Sequence, residues 1–487
     1  MLTSLLLQLQ EVSASICRFN QDIQKIYSQI IQLRLKEAKE ILRKEQNKEN
    51  NLAYVLMEDY VDFFQLFIYE DETDFKNIFP NKSKRLEKIR SEKIEEQWSL
   101  FLQSEILLHW SLIHLKRDEN WKAYKCFNEA YEKLSLCKRK FPEFKYTNKS
   151  LGILHTLIGT IPEEFEWASS LLGFTGSLTE GKNELNSFIE FSKSENDLFK
   201  NEAIAAYSFV ISYLDNKKQD GLEYWNKNSK ISKNNVLNYF ISTKLLMRSG
   251  KMKEAAELVQ NVTEAEKLKL PYLYYVSGLI KLQNLDAECE KEFLQYLRLF
   301  KGNSFVKDSY QKLAWMSLIK GSESSYKQYM EKCKRNSKAI TDEDRQAESE
   351  AKNSTIPDPV LLKARLLFDG THYNRAYSLL FKKIEQYYKG ERKLEFCYRM
   401  GRICQNLSKK IEAISFFDDA ISTEPKGNSF MSCYSQYYKA QIKEEYGEKA
   451  EACLIYSKLL KQNPDHYSRS LHQKSKAGLI RLSCQLR

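Results

Sequence analysis

The residues best equipped for chemistry lie in one short stretch. Glu163, Glu164 and Glu166 stand beside Trp167, with His155 just upstream, and paired carboxylates next to an aromatic ring could do glycosidase-type acid and base work. The same acids follow Pro162 directly. A proline opening a helix and negative charge in its first turn suit the helix dipole, so capping explains them without catalysis. The other histidines are His109, His114, His372, His466 and His472. His109 and His114 are five residues apart, which turns them about 140° from each other around a helix and spoils a shared metal site. Packing or capping is the expected role of all six. Ten cysteines are scattered without a Cys-x-x-Cys pair, so zinc is not expected. Cys397 and Cys404, seven apart on one helix, are separated by roughly 10 Å, too far to bridge; the cysteines read as small apolar filler. Gly-x4-Gly-Lys-Ser/Thr, Gly-x-Gly-x2-Gly, His-Glu-x2-His, Gly-x-Ser-x-Gly and EF-hand loops are all missing from the chain, which removes the usual signatures of five chemistries. The expectation is no catalysis, no cofactor and no metal.

Composition says what must position any site. The 487 residues include only 16 glycines and 8 prolines but 29 tyrosines and 26 phenylalanines. Sheet proteins and phosphate-binding loops need glycine-rich turns, and disordered chains are poor in aromatics, so long helices with short joints remain. A chain this long holds about three domains or one long repeat array. The balance of 76 basic against 65 acidic side chains gives a formal charge of +11. That excess is diluted, because Lys82-Ser83-Lys84-Arg85 sits close to Glu87, Glu92, Glu95 and Glu96; nucleic acid is not expected as the main ligand. The leucine cluster at Leu5-Leu6-Leu7 has no basic residue before it and is interrupted by Gln8 and Gln10. It reads as a first helix, with a degenerate export signal as the alternative. The body of the chain has no apolar run approaching the ~18 residues of a membrane span, and a cytoplasmic location is the default, with export if that signal operates.

Internal self-similarity organises the rest. Gly401, Cys404, Ala413, Phe417, Ala420 and Pro425 fall at the spacings of a two-helix repeat of about 34 residues. Thirty-nine residues on, Ala440, Ala452, Tyr456, Leu459 and Pro464 repeat most of that spacing, the extra length belonging to Lys426-Gly427-Asn428-Ser429. Small residues let the two helices of a hairpin approach, and the aromatic fills the gap to the next hairpin. Weaker units follow the same logic at Ala364, Leu367, Tyr373, Ala376 and Leu380; at Thr243, Leu246, Met252, Ala255 and Val259; and at Ser111, Trp121, Ala123, Phe127 and Ala130. The organisation expected is an N-terminal segment over 1–20, a degenerate helical array over 21–340, a polar hinge over 341–359 and a C-terminal array over 360–487. The segment 151–185 holds Gly152, Gly159, Gly173, Gly176 and Gly181 and is expected as an irregular loop inserted between helices. Trp167, Leu171, Leu172 and Phe174 either pack beneath that loop or form an exposed apolar patch.

On these residues the chain resembles the tetratricopeptide repeat superfamily. The segment IGTIP-x4-W-x4-LGF-x-G looks like one that marks a group of uncharacterised bacterial repeat proteins, more distantly similar to the mitochondrial inclusion-body clearance family. The resemblance implies an all-α solenoid, a right-handed superhelix of antiparallel helix hairpins, that acts as a scaffold or adaptor by binding a protein or peptide in its concave groove. In that family the first helix of each hairpin lines the groove. The matching positions here are Arg365 and Phe368; Tyr398, Arg402 and Gln405; Tyr437 and Gln441; and, in earlier units, Lys244 and Lys116. Trp167 and Phe174 are candidates for a partner contact on the loop. Basic residues at one repeat position, beside aromatics, suit an acidic segment. The paired Lys and Asn with which some relatives grip a terminal carboxylate are replaced by Tyr398 with Arg402 and Tyr437 with Gln441, so an extended segment without a strict terminal-carboxylate requirement is expected. An envelope-associated lipid or membrane-machinery factor, and an RNA-binding helical repeat, are the alternatives.

Overall fold

The computed structural model describes residues 16–45, 50–160, 174–195, 197–229, 235–353, 355–424, 426 and 428–484. The expectations for Leu5 to Leu7, Glu163, Glu164, Glu166, Trp167, Leu171, Leu172 and Pro425 lie outside the described residues.

The described chain is a succession of helices: α1 Gln21–Ile31, α2 Leu35–Glu45, α3 Ala53–Tyr69, α4 Glu72–Ile78, α5 Pro80–Ser91, α6 Glu96–Lys116, α7 Asn120–Lys140, α8 Thr147–Ile158, α9 Leu178–Glu195 and α10 Lys200–Phe209, which runs into a π turn at Val210–Leu214. It continues through α11 Lys218–Asn228, α12 Val236–Arg248, α13 Met252–Gln260, α14 Glu264–Lys269, α15 Tyr272–Gln283, α16 Cys289–Leu299, α17 Val306–Ile319, α18 Glu323–Arg335 and α19 Asp342–Asn353. The last eight are α20 Pro359–Asp369, α21 Tyr373–Phe381, α22 Ile384–Tyr388, α23 Lys393–Asn406, α24 Lys410–Thr423, α25 Phe430–Glu445, α26 Lys449–Leu459 and α27 Ser468–Arg481. Among the described residues the β pairing is confined to one isolated bridge, Ile16 to Asn51. No described helix is long and apolar enough to cross a membrane.

The chain divides into two compact units. One comprises Met1–Ser277, Lys291–Ser309 and Cys333–Ser349; the other comprises Gly278–Glu290, Tyr310–Lys332 and Glu350–Arg487. Helix α19 lies within the stretch expected as a hinge. Its start is fixed locally, the Asp344 amide donating to the Thr341 hydroxyl and that hydroxyl donating to the Asp344 carboxylate at 3.1 and 2.9 Å. Buried Asp344 also accepts from the amides of Phe305 and Asp308 at 2.7 and 3.0 Å.

One turn recurs through both units. At Leu33, Asp118, Gly250, Leu285, Gly321, Thr371, Ser408 and Gly447 the backbone enters the left-handed region. In each case the next amide donates to the carbonyl five residues before it, at 2.8 to 2.9 Å. This is the Schellman closure of a helix C-terminus, and it reverses the chain into the second helix of the hairpin. A ninth turn, at Asn216, follows the π turn and bonds six residues back, Lys217 N–H to the Ile211 carbonyl at 3.0 Å. The turns at 216, 250, 285 and 321 are 34 to 36 residues apart, so the repeat persists where its sequence signal fades.

Inside each hairpin the small residues sit where helices meet. Ala413, Phe417, Ala420, Ala440, Ala452 and Tyr456 are fully buried. A Cβ on Gly401 would stand 2.5 Å from the Phe417 ring, so only glycine admits α24 this close to α23. Trp121, counted with a repeat, is instead 65% exposed. The glycine-rich segment differs from its expectation in a similar way. Gly152 lies in α8 and Gly181 in α9, and a Cβ on Gly181 would meet the Gly152 carbonyl oxygen at 2.4 Å. These glycines serve close helix packing and not a loop.

Eight cysteines are buried singly, as filler residues should be. Cys453 and Cys484 are the exception, since they form a disulfide across a Cα separation of 5.9 Å. The pairing was invisible in sequence because it requires the turn between α26 and α27.

Gly401→Ala is expected to destabilise the protein by about 1–3 kcal/mol, the cost of overpacking a filled helix interface. Denaturant unfolding followed by circular dichroism measures it, and an unchanged midpoint would show that the hairpin tolerates a wider gap.

Candidate peptide groove

Helices α20, α23 and α25 open three successive hairpins in the second unit and carry most of the groove candidates. Arg402 is the focus. Its guanidinium lies 3.5 Å from the Tyr438 ring centroid and 5.2 Å from that of Phe368, and it donates to Gln405 Oε1 at 3.1 Å. Two aromatic faces thus hold the guanidinium through its π surface and leave hydrogen-bonding edge free for a ligand. Arg365 lies 4.8 Å from the ring of Trp315, which Lys312 approaches to 4.0 Å.

Asp369 sits among these cations, with Arg365 Nε 3.9 Å away and 43% of its side chain exposed. Desolvation by the surrounding walls raises its carboxyl pKa and outweighs the attraction of Arg365, Arg399, Lys312 and Arg402. Arg399 is held in turn by Glu395 one helical turn earlier.

The structure therefore brings Phe368, Arg402 and Gln405 together and sets Arg365 near them around Asp369. Tyr398 is half-buried and packs edge-on against Phe430, ring centroids 6.0 Å apart. Tyr437 is turned inward. It is 7% exposed, it packs with Tyr456 and Leu471 in the hairpin core, and its hydroxyl accepts from the Gln441 amide at 3.1 Å. Tyr437 precedes Ala440 by three residues and shares its inward stripe, whereas Tyr438 is turned a further ~100° and meets Arg402. Sequence spacing alone did not separate these two tyrosines.

In the first unit, Lys244 lies 5.9 Å from the Tyr272 ring. Burial lowers its ammonium pKa, with Glu343 opposing. Lys116 is engaged by Glu70 at 2.7 Å and by Ser304 at 3.3 Å. Phe174 is buried edge-on against Phe127 and Tyr131 at 5.3 and 5.1 Å, which makes it core. Trp167 lies outside the described residues.

The first unit also contains buried charge that the sequence reading missed. Lys149, 2% exposed, bonds Glu105 at 2.6 Å and Glu202 at 2.7 Å. Glu202 further accepts from the Tyr27 and Tyr60 hydroxyls at 3.0 and 2.9 Å. Nearby, Asp59 meets Arg85 at 3.2 Å, the Trp110 indole at 3.2 Å and His109 Nδ1 at 2.8 Å, while Arg85 reaches Asp62 at 2.6 Å. The only trace in the sequence is a charged residue inside otherwise apolar helices. Each charge here has an opposite charge or a hydrogen-bond donor beside it, so the network ties α1, α3, α5, α6, α8 and α10 together structurally. A cavity of about 430 Å³ lies beside it, where Arg43, Lys84 and Lys88 face Glu58 and Asp62.

No protein-family model matches the chain, and no curated protein matches its sequence. Among solved structures it is similar to the crystal structure of the yeast protein Tom70, at 13% identity and a TM-score of 0.28, over 94% of this chain and 95% of that one. A score that low carries no argument, and the all-α hairpin fold rests on the turns and helix interfaces described above.

Burial opposes ionisation of Glu202, yet Lys149 overcomes it and holds the carboxyl pKa below its usual value of 4.5. A depressed carboxyl pKa contributes stability that is present above the unfolded value and lost as pH falls through the folded one. Lys149→Met, which strands Glu105 and Glu202, is expected to cost about 3–5 kcal/mol at neutral pH and to flatten the loss of stability below pH 4.5. Unfolding of wild type and variant between pH 3 and 7 tests both effects, and parallel curves would contradict the pairing.

Proposed function

We propose that this protein is a non-catalytic scaffold that binds an extended acidic segment of another polypeptide along α20, α23 and α25. The observation that supports it most is Arg402 clasped between Phe368 and Tyr438 beside Arg365, Arg399 and Lys312. Arg365, Arg399, Lys312 and Arg402 all attract the Asp369 carboxylate, so the surroundings of Arg402 are rich in cations. A guanidinium already held in place loses little freedom when a carboxylate docks, and its fork can take both oxygens. Aromatic walls give the intervening side chains of the segment apolar surface to cover. The Lys and Asn pair of a terminal-carboxylate clamp is missing from the matching positions, which favours side-chain carboxylates within a continuous segment over a free chain end.

Asp369 mimics the ligand. A partner's carboxylate must compete with it for the same cations, while desolvation raises the carboxyl pKa of Asp369 itself. Because an elevated carboxyl pKa makes the ionised form a cost to the fold above that pKa, removing the charge leaves stability at neutral pH unchanged or higher.

Acidic peptides on an array, followed by fluorescence anisotropy of the best binder, test the reading. Arg402→Glu is expected to weaken binding at least about tenfold, or about 1.4 kcal/mol, and Tyr438→Ala to weaken it less. Asp369→Asn is expected to tighten it. Equal affinity of Arg402→Glu and wild type for every acidic peptide would refute the groove.

A further inference from the structure

Helices α8 and α9 of the first unit approach at Gly152 and Gly181 so closely that neither position has room for a side chain. This approach brings one histidine of α8 against two glutamates of α9. His155 Nδ1 lies 2.7 Å from Glu184 Oε2 and 3.7 Å from Glu180 Oε1. All three ligand atoms fall within 4.8 Å of one another.

We propose that His155, Glu180 and Glu184 bind a divalent first-row transition-metal ion. Three observations favour a metal over a simple histidine–carboxylate contact. First, the donors converge from two helices. Glu180 and Glu184 are one turn apart on a single face, and the imidazole enters from the opposite helix. Metal–ligand bonds of about 2.0–2.2 Å put the donors of a tetrahedral site about 3.4 Å apart. The observed separations lie on either side of that value, and the outer ligand, Glu180, is 52% exposed and can swing inward.

Second, the charge is unbalanced. Two carboxylates meet one imidazole, and among the described residues neither glutamate pairs with a lysine or arginine. Glu184 is only 13% exposed, so water does little to relieve it, and a divalent cation would. Third, the histidine is held in place. A Cβ on Gly176 would stand 2.8 Å from His155 Cδ2, and the Tyr131 ring closes edge-on at 6.0 Å, so the imidazole has one direction to face.

The donor set selects the ion. Imidazole nitrogen favours zinc, iron, cobalt or nickel over calcium and magnesium, which prefer all-oxygen sites, and the two carboxylates leave manganese a weaker competitor. Three protein ligands leave coordination positions for water or for a further ligand, and the ion would pin α8 to α9 beside their glycine contact. This site is in a different unit from the groove and does not depend on the peptide-binding reading.

The test uses the intact chain stripped with a chelator. Zinc and, separately, manganese are titrated calorimetrically into wild type, Glu184→Gln, Glu180→Gln and His155→Ala. Circular dichroism confirms that each variant is folded, and the exposed Glu180 position keeps the test open should His155→Ala misfold. One equivalent binding at micromolar or tighter affinity is expected, weakened at least about tenfold by Glu184→Gln and His155→Ala and less by Glu180→Gln. Cobalt bound to wild type is expected to show no sulfur-to-metal charge-transfer band, since no thiol belongs to the site. No saturable binding, binding indifferent to all three substitutions, or a thiolate band would overturn the proposal.

Discussion

Two helices can lie at backbone distance only where one of them has no side chain in the way, and this constraint underlies the molecule. At Gly401 against Phe417 the hairpin closes because a ring occupies the space a Cβ would need. The left-handed turn that follows the first helix does the rest, returning the chain at once so that the second helix lies against the first. Repetition of turn and contact builds the hairpins of the C-terminal stretch from neighbours in sequence, whereas in the first unit Leu33 packs with Val236, Val262 and Leu273, some two hundred residues away.

The same constraint determines where function can reside. The stripe of each first helix that holds Gly401, Cys404 or Ala440 is consumed by packing, which frees the adjoining stripe for charged and aromatic side chains. Arg365, Phe368, Arg402 and Tyr438 occupy that freed stripe in the second unit. In the first unit, glycines at the α8 and α9 contact likewise dictate that His155 meets Glu184. Helix proximity at Gly152 and Gly181 thus sets His155 against Glu184, while the meeting of Arg402 with Phe368 and Tyr438 joins neighbouring hairpins.

Legibility from sequence followed the physics of each feature. The hairpins around Gly401 and Ala440 were readable because packing demands particular residue sizes at fixed spacing, and Ala413 and Phe417 are fully buried as that demands. The turns were readable only in part. Gly250, Gly321 and Gly447 advertise positive φ, but Leu33, Asp118, Leu285, Thr371 and Ser408 adopt it without a compositional signal. The nearness of Arg402 to Phe368 is consistent with their repeat register. Tyr438 could not be placed from that register, because register tolerates an error of one residue and adjacent tyrosines look alike. The Lys149 network, the Cys453–Cys484 disulfide and the His155 cluster join residues brought together only by tertiary packing, so no local pattern encodes them. The glycine-rich segment reads in sequence as a loop, yet Gly152 and Gly181 stand inside helices, since glycine signals close approach within helices as well as turns between them.

Hydrogen–deuterium exchange of the whole chain, with and without a saturating acidic peptide, tests most directly whether the freed stripe is the recognition surface. New protection concentrated in α20, α23 and α25 is the predicted result. Protection confined to other helices while those three exchange as before would contradict the account.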